Sequence, residues 1–251
     1  MPDFLFIGAQ KSGTTSLYEH LAQHPAILPS SKKEIHFFDT KYYKGRRWYR
    51  SHFPYEYQLQ QKITGEASPS YLFYPGAARR IHQHLPDAKL LVLLRDPVNR
   101  AISSYYHQQH KGVEPLVLQD ALAAEERRLD GFKKKLGFGW LSYRSSKNLR
   151  QFAYKAKGRY ADQLKIYFRL FRPEQIWIEQ AERFFIEPGE TIRGVFQFLE
   201  VDDAFVPSDL KPRNVRHYEE VPEQVREQLK EYYYQPNQEL FALLGRRFDW
   251  Q

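Results

Sequence analysis

Nine residues near the start of the chain, "GAQKSGTTS" (Gly8 to Ser16), hold two glycines, a lysine and four hydroxyls. They stand between an apolar run, "FLFI", and a helical pattern, "TTSLYEHLAQH". A helix that begins after such a loop aims free N–H groups and the positive end of its dipole at the loop, which favours a multiply charged oxyanion. Gly13 permits close backbone approach, and Ser12, Thr14, Thr15 and Ser16 add donors. The nucleotide-binding spacing G-x-x-x-x-G-K-[ST] is close but different. Gly8 and Gly13 keep the glycine interval, yet Lys11 precedes the second glycine and Thr14 takes the lysine's place. A magnesium-nucleotide site also needs an acidic residue at a second strand end. "LLVLLRD" ends in Asp96, but Arg95 before it brings positive charge to the same edge. The pattern points to an anion held by lysine, arginine and hydroxyls without a metal.

Those residues need a frame. Four short apolar segments read as buried parallel strands: Phe4–Gly8, Lys62–Ala67, Lys89–Asp96 and Gln175–Gln180. Helical patterns fall between and after them. One is "PVNRAISSYYHQQH", whose proline directly after the third strand suits a first helical turn. Others are "PGAARRIHQHL", "LVLQDALAAEERRL", "ADQLKIYFRLF", "ETIRGVFQFLE" and "VPEQVREQLKEYYYQPNQELFALLG". Such alternation predicts an α/β fold with a parallel sheet covered on both faces. Ligands then sit beyond the carboxyl ends of the strands, so the loop after Gly8 and the turn at Arg95 share one edge. The segment from about Gly131 to Lys147 lacks clear periodicity and is expected to be a mobile loop over the site.

At 251 residues the chain can form one domain, 1–251, with a substantial core. It has 18 Tyr, 18 Phe and 4 Trp to build that core and no cysteine, which removes disulfides, thiolate metal sites and cysteine nucleophiles together. The start, "MPDFLF", has no signal-peptide character, and no apolar run approaches the ~20 residues of a membrane span, so a cytoplasmic protein is expected. A net charge of +8 is concentrated in "KYYKGRRWYR", "FKKKLG" and "KPRNVRH". These clusters suit either solvated surface or an anionic partner.

Taken together, the motifs resemble the sulfotransferases that use 3′-phosphoadenosine 5′-phosphosulfate (PAPS), closest to the heparan sulfate N- and 3-O-sulfotransferase branch and its bacterial relatives. "QKSGTTSL" is similar to that family's 5′-phosphosulfate loop, and "RDPVNRAISSYYH" (Arg95 to His107) to its 3′-phosphate motif. "KEIHFFD" (Lys33 to Asp39) resembles the segment that supplies the catalytic glutamate, and "GEASPSYL" the segment that follows. With "GRYADQLKIYFRLF", "KPRNVRHYEEV" and "NQELFALLGRRFDW", the resemblance runs from about residue 4 to residue 250. Two departures stand out. Ala67 occupies a place where heparan-type enzymes usually have lysine, and the late-loop disulfide of animal relatives has no counterpart here.

The resemblance implies a P-loop NTPase-like three-layer α/β/α fold. It also implies metal-free sulfuryl transfer from PAPS, leaving 3′,5′-ADP. Glu34 would be the general base and Lys11 would sit at the bridging oxygen. Arg95 and Ser103 would bind the 3′-phosphate, and Arg213 and Arg216 are weaker candidates for closing over the nucleotide. His36, two residues from Glu34, would share its face in an extended segment and could bind the acceptor, orient Glu34 or act as the base. The acceptor is expected to be a carbohydrate, a small metabolite or a carrier-bound intermediate, attacked at oxygen or nitrogen. An ATP-dependent phosphotransferase and a nucleic-acid binder are the rivals. The displaced lysine and the Arg95…Ser103 pair count against the first, and the lack of any nucleic-acid motif against the second.

Overall fold

The computed structural model describes residues 1–133, 143–211 and 221–250, with side chains described outside 130–133 and 143–146. Its frame is a five-stranded sheet in the order β2-β3-β1-β4-β5, with every neighbouring pair parallel. The strands are β1 (Phe4–Gly8), β2 (Ile27–Pro29), β3 (Ile63–Ala67), β4 (Lys89–Leu94) and β5 (Ile176–Gln180). β1 is central, so the chain leaves it towards β2 and β3 on one side and β4 and β5 on the other. That reversal makes the carboxyl end of β1 the natural place for a ligand.

Four of these strands match the sequence reading, and β2 is additional. Three residues ending in proline carry too little periodicity to be read as a strand, and Ile27 is held by parallel pairing with Ile63. The third expected strand also stops earlier. β4 ends at Leu94, and Asp96 instead caps α5 (Pro97–His110), its carboxylate accepting from Asn99 N at 2.7 Å.

Side-chain alternation divides the sheet's apolar residues between its faces. Phe4, Phe6, Leu91 and Leu93 pack with Leu17 and Leu21 of α1 (Thr14–Leu21). The same cluster takes in Phe184 of α9 (Ala181–Ile186) and Val195 and Phe196 of α10 (Pro188–Leu199). Leu5, Ile7, Leu90 and Val92, all fully buried, point the other way. Two short helices, α2 (Gly45–Arg50) and α3 (Glu56–Leu59), precede β3, and α4 (Ala77–His84) follows it.

The chain divides into two compact units. One runs from Met1 to Arg95, resumes at Gln163 and holds the whole sheet. The other begins at Asp96 with α5 and contains α6 (Leu118–Lys133), α7 (Tyr143–Phe152) and α11 (Glu223–Leu244). Its core joins Ala101, Ile102 and Tyr105 to Leu122, Tyr154, Leu229 and Tyr233. Between them in sequence, α8 (Tyr160–Phe168) spans the division. The expected loop from Gly131 to Lys147 is shorter than read, because α6 reaches Lys133 and α7 starts at Tyr143. The intervening stretch lies outside the described residues.

Candidate active site

β1 ends at Gly8 and α1 begins at Thr14, so the loop between them turns directly beneath the helix's free N–H groups. A Cβ at Gly8 would lie 2.5 Å from Leu72 Cδ2, and one at Gly13 2.7 Å from the ring of Phe185. Gly13 also takes φ 84°, which a glycine adopts without strain. Lys11 shares that left-handed region at φ 73°. Ser12 is fully buried, and its Oγ has no hydrogen-bond partner among the described residues. A buried hydroxyl without a partner is uncommon, and in a loop of this kind it fits a bound oxyanion. Thr14 and Ser16 are buried beside it, with Thr15 half-buried.

Arg95 reaches this loop from the end of the neighbouring strand. Its Nη1 donates to Lys11 O at 3.1 Å, and its guanidinium carbon lies 5.9 Å from the Phe185 ring centre. Arg95 ends the first stretch of the first unit, whereas Ser103 is buried on α5 in the second. Arg213 and Arg216 lie outside the described residues, as do most of "FKKKLG" and "KPRNVRH". The first basic cluster is described: Lys41 and Lys44 stand 5.7 Å and 5.1 Å from the Trp48 ring centre.

On the other side of β1, the carboxyl end of β3 carries the acidic group. Glu34 N donates to Ala67 O at 2.9 Å, which pins Glu34 to the end of the strand paired with β1. Glu34 and His36 do meet, with His36 Nε2 3.3 Å from Glu34 Oε2. The reason differs from the extended geometry expected. Both residues adopt left-handed φ, 59° and 60°, while Ile35 and Phe37 between and after them are buried. Behind His36, Nδ1 is 2.9 Å from Asp39 Oδ2, which also accepts from Ser70 Oγ at 2.6 Å. Lys33 Nζ approaches the other Glu34 oxygen at 3.2 Å.

This chain of contacts sets the charges. The hydrogen bond from His36 is the main cause that lowers Glu34 to about 2, with Lys33 assisting against partial burial. Burial disfavours charge on His36, but hydrogen bonds to Asp39 and Glu34 outweigh it and lift its pKa to about 9. Asp39, fully buried, is held below its ordinary value because His36 and Ser70 overcome the cost of burial. At neutral pH the arrangement is carboxylate, imidazolium, carboxylate. Glu34, with its side chain 41% exposed, is the member open to a reactant. Asp39 and Ser70 were not singled out in the sequence. The interval of three between His36 and Asp39 was its one available signal.

Among the described residues no group of three or more His, Asp or Glu could hold a metal ion. Among them, too, no helix is long and apolar enough to cross a membrane.

The model of the family described as Sulfotransferase domain matches residues 1–239. The chain belongs to this sulfotransferase family. Membrane-associated sulfotransferase kil1 of Dictyostelium discoideum is 30% identical, across 100% of this chain and 67% of that protein. Human heparan sulfate glucosamine 3-O-sulfotransferase 6 is 30% identical, across 99% of this chain and 73% of its own length. A crystal structure of a sulfotransferase from Alicyclobacillus acidocaldarius superposes with a TM-score of 0.79 at 32% identity, covering 99% of this chain and 97% of that one. The resemblance to the heparan sulfate branch and its bacterial relatives is thus borne out, and with it the P-loop NTPase-like α/β fold. In this sulfotransferase the loop after β1, Arg95 after β4 and Glu34 at the end of β3 lie along one edge of three adjacent strands.

Proposed function

We propose that this chain transfers a sulfuryl group from PAPS to a hydroxyl or amine of a carbohydrate or small-metabolite acceptor, acting as one catalytic domain without a metal. Family membership supports sulfuryl transfer. The observation that carries the choice of donor is the phosphate loop with its orphaned Ser12 hydroxyl and its hydrogen bond from Arg95. That combination suits a donor with phosphates at both ends of its ribose. When bound, PAPS supplies an activated sulfuryl group whose bond to the 5′-phosphate oxygen breaks, leaving 3′,5′-ADP.

The chain's own residues do the rest. Ser12, Gly13, Thr14, Thr15 and Ser16 hold the 5′-phosphosulfate through hydroxyls and backbone N–H groups. Lys11 places positive charge where the leaving oxygen becomes negative. Arg95 and Ser103 take the 3′-phosphate, Arg95 through its planar fork. Arg213 and Arg216, outside the described residues, are the weaker candidates that the resemblance offers for closing over the nucleotide. Glu34, ionised at neutral pH, accepts the proton of the attacking hydroxyl. A carboxylate with so low a pKa is a weak base towards a free alcohol. It suffices late in the reaction, when bonding to sulfur has made that proton strongly acidic. His36, holding Asp39 on one side and Glu34 on the other, orients the base. The likeness to a heparan sulfate glucosamine 3-O-sulfotransferase favours a carbohydrate acceptor.

Calorimetry with 3′,5′-ADP, and with ATP in the presence and absence of magnesium, tests the donor. Tight metal-independent binding of 3′,5′-ADP is expected. A magnesium-dependent preference for ATP would replace the reading with a phosphotransferase.

A further inference from the structure

We propose that Glu66, in β3, is the positioning residue for Glu34 and His36: its buried carboxyl orients the hydroxyls that fix the backbone of the base-carrying segment. The proposal rests on the assignment of Glu34 as base.

Glu66 is fully buried. One carboxyl oxygen accepts from Tyr49 Oη at 2.8 Å and Tyr71 Oη at 3.0 Å, and the other from Ser68 Oγ at 2.7 Å. Two of those hydroxyls have a second duty. Tyr71 Oη accepts from Phe37 N at 2.9 Å, and Ser68 Oγ accepts from His36 N at 3.1 Å. A hydroxyl has a single proton to give. Because Tyr71 and Ser68 receive N–H groups on their lone pairs, each turns its own proton towards Glu66. The carboxyl therefore fixes both rotors, and the rotors fix two consecutive backbone N–H groups of the segment.

That segment needs such fixing. Glu34 and His36 both carry a Cβ in the left-handed region, a conformation that persists only where the surroundings over-determine it. The stretch from Glu66 to Tyr71 supplies the determination: Ala67 O holds Glu34 N, Ser68 holds His36 N, Ser70 holds Asp39 and Tyr71 holds Phe37 N. Glu66 stands behind two of the four. Through Tyr49 it also ties in α2 and the aromatic, basic stretch around it. The titratable groups facing Glu66 are Tyr49, Tyr71, Asp39 and Tyr18, and those facing His36 are Glu34 and Asp39.

Glu66→Gln keeps the shape but replaces one accepting oxygen by a donor, so at least one rotor must turn away. The kcat for 3′,5′-ADP release, with a glucosamine oligosaccharide as acceptor, should fall by ~10-fold or more, as expected for misplacement of a catalytic group. The affinity for 3′,5′-ADP should be unchanged. The His36 resonances should titrate below their wild-type value of about 9, towards the ordinary 6.5. Ser68→Ala, which cuts only the relay to His36 N, should move both readouts the same way and carries the test if Glu66→Gln does not fold. Thr64→Val, also in β3 but with a hydroxyl that has no partner among the described residues, should change neither. Wild-type kcat and wild-type His36 titration in Glu66→Gln or, should that variant not fold, in Ser68→Ala would overturn the proposal. If the wild type binds no 3′,5′-ADP, the donor reading fails, and the His36 titration alone decides the role of Glu66.

Discussion

The phosphate loop after β1 and the base segment that meets the end of β3 lie at the same edge of the sheet, and both place residues with a Cβ in left-handed backbone: Lys11 in one, Glu34 and His36 in the other. They reach that geometry in different ways. The loop is local, and Ser12 keeps a buried hydroxyl without a partner among the described residues, the group that the proposed function assigns to the donor's phosphosulfate. The base segment is held at long range, with the N–H groups of Glu34, His36 and Phe37 and the Asp39 carboxylate met by residues some thirty positions away in sequence. On the proposed function, the first region leaves a group for the donor to meet, and the second is organised by the chain's own contacts. A site that must release its product after every turnover gains from the first arrangement, and a base that must be correctly aimed gains from the second.

The largest effect expected is on the base segment. Glu34→Gln should reduce sulfation by ~10²-fold or more while leaving 3′,5′-ADP affinity unchanged, because only the proton acceptor is lost. Retained activity in that variant would move the base to His36. On the side of the phosphate loop, Arg95→Ala should weaken 3′,5′-ADP by roughly 10- to 100-fold, the worth of a hydrogen bond to a charged group. Its effect on 5′-AMP should be far smaller. Equal weakening of the two nucleotides would remove Arg95 from the 3′-phosphate and break the contrast on that side.

These two regions were unequally legible. "GAQKSGTTS" declares itself because glycine spacing, hydroxyls and a displaced lysine lie within nine residues, and the strand before and helix after it follow from local periodicity. Most of the sheet was readable for the same reason. Residues 34–36 were nameable as a site only through resemblance, since a glutamate and a histidine two apart carry no local sign of left-handed backbone. Asp39 offered only its interval of three from His36, and Ser70 and Glu66 offered nothing: their roles depend on contacts between "KEIHFFD" and "GEASPSY", which no periodicity connects. Strand β2 was missed because its three residues depend on pairing with β3 rather than on a pattern of their own.

The base segment should also show in the dependence of stability on pH. His36 is raised in the folded protein from 6.5 to about 9, so its contribution is fully present below pH 6.5 and is lost as pH rises through about 9. Glu34 is lowered from 4.5 to about 2, so its contribution is present above pH 4.5 and is lost as pH falls through about 2. Denaturant midpoints should therefore be highest between about pH 4.5 and 6.5 as far as this pair is concerned. Asp39→Asn should flatten the alkaline fall in particular, by removing the strongest support for the imidazolium. An alkaline limb unchanged by Asp39→Asn would mean that His36 is not charged as described.

The smallest effect is the most telling for the loop. Ser12→Ala removes a hydroxyl that is buried and without a partner among the described residues. Deleting such a group relieves a desolvation cost instead of breaking a bond, so the free protein should be as stable as the wild type or more so, by up to ~1 kcal/mol. The same substitution should weaken 3′,5′-ADP by about 0.5–1.5 kcal/mol, roughly 2- to 10-fold, because the hydroxyl finds its partner only in the complex. Ser70→Ala should behave oppositely: its hydroxyl already serves Asp39, so the free protein loses about 1–3 kcal/mol while nucleotide affinity is retained. Thermal unfolding and calorimetry on the two variants would measure the contrast directly. If Ser12→Ala destabilised the free protein as Ser70→Ala does, the loop would be a finished structure like the base segment, and its orphaned hydroxyl would not be a place kept for the donor.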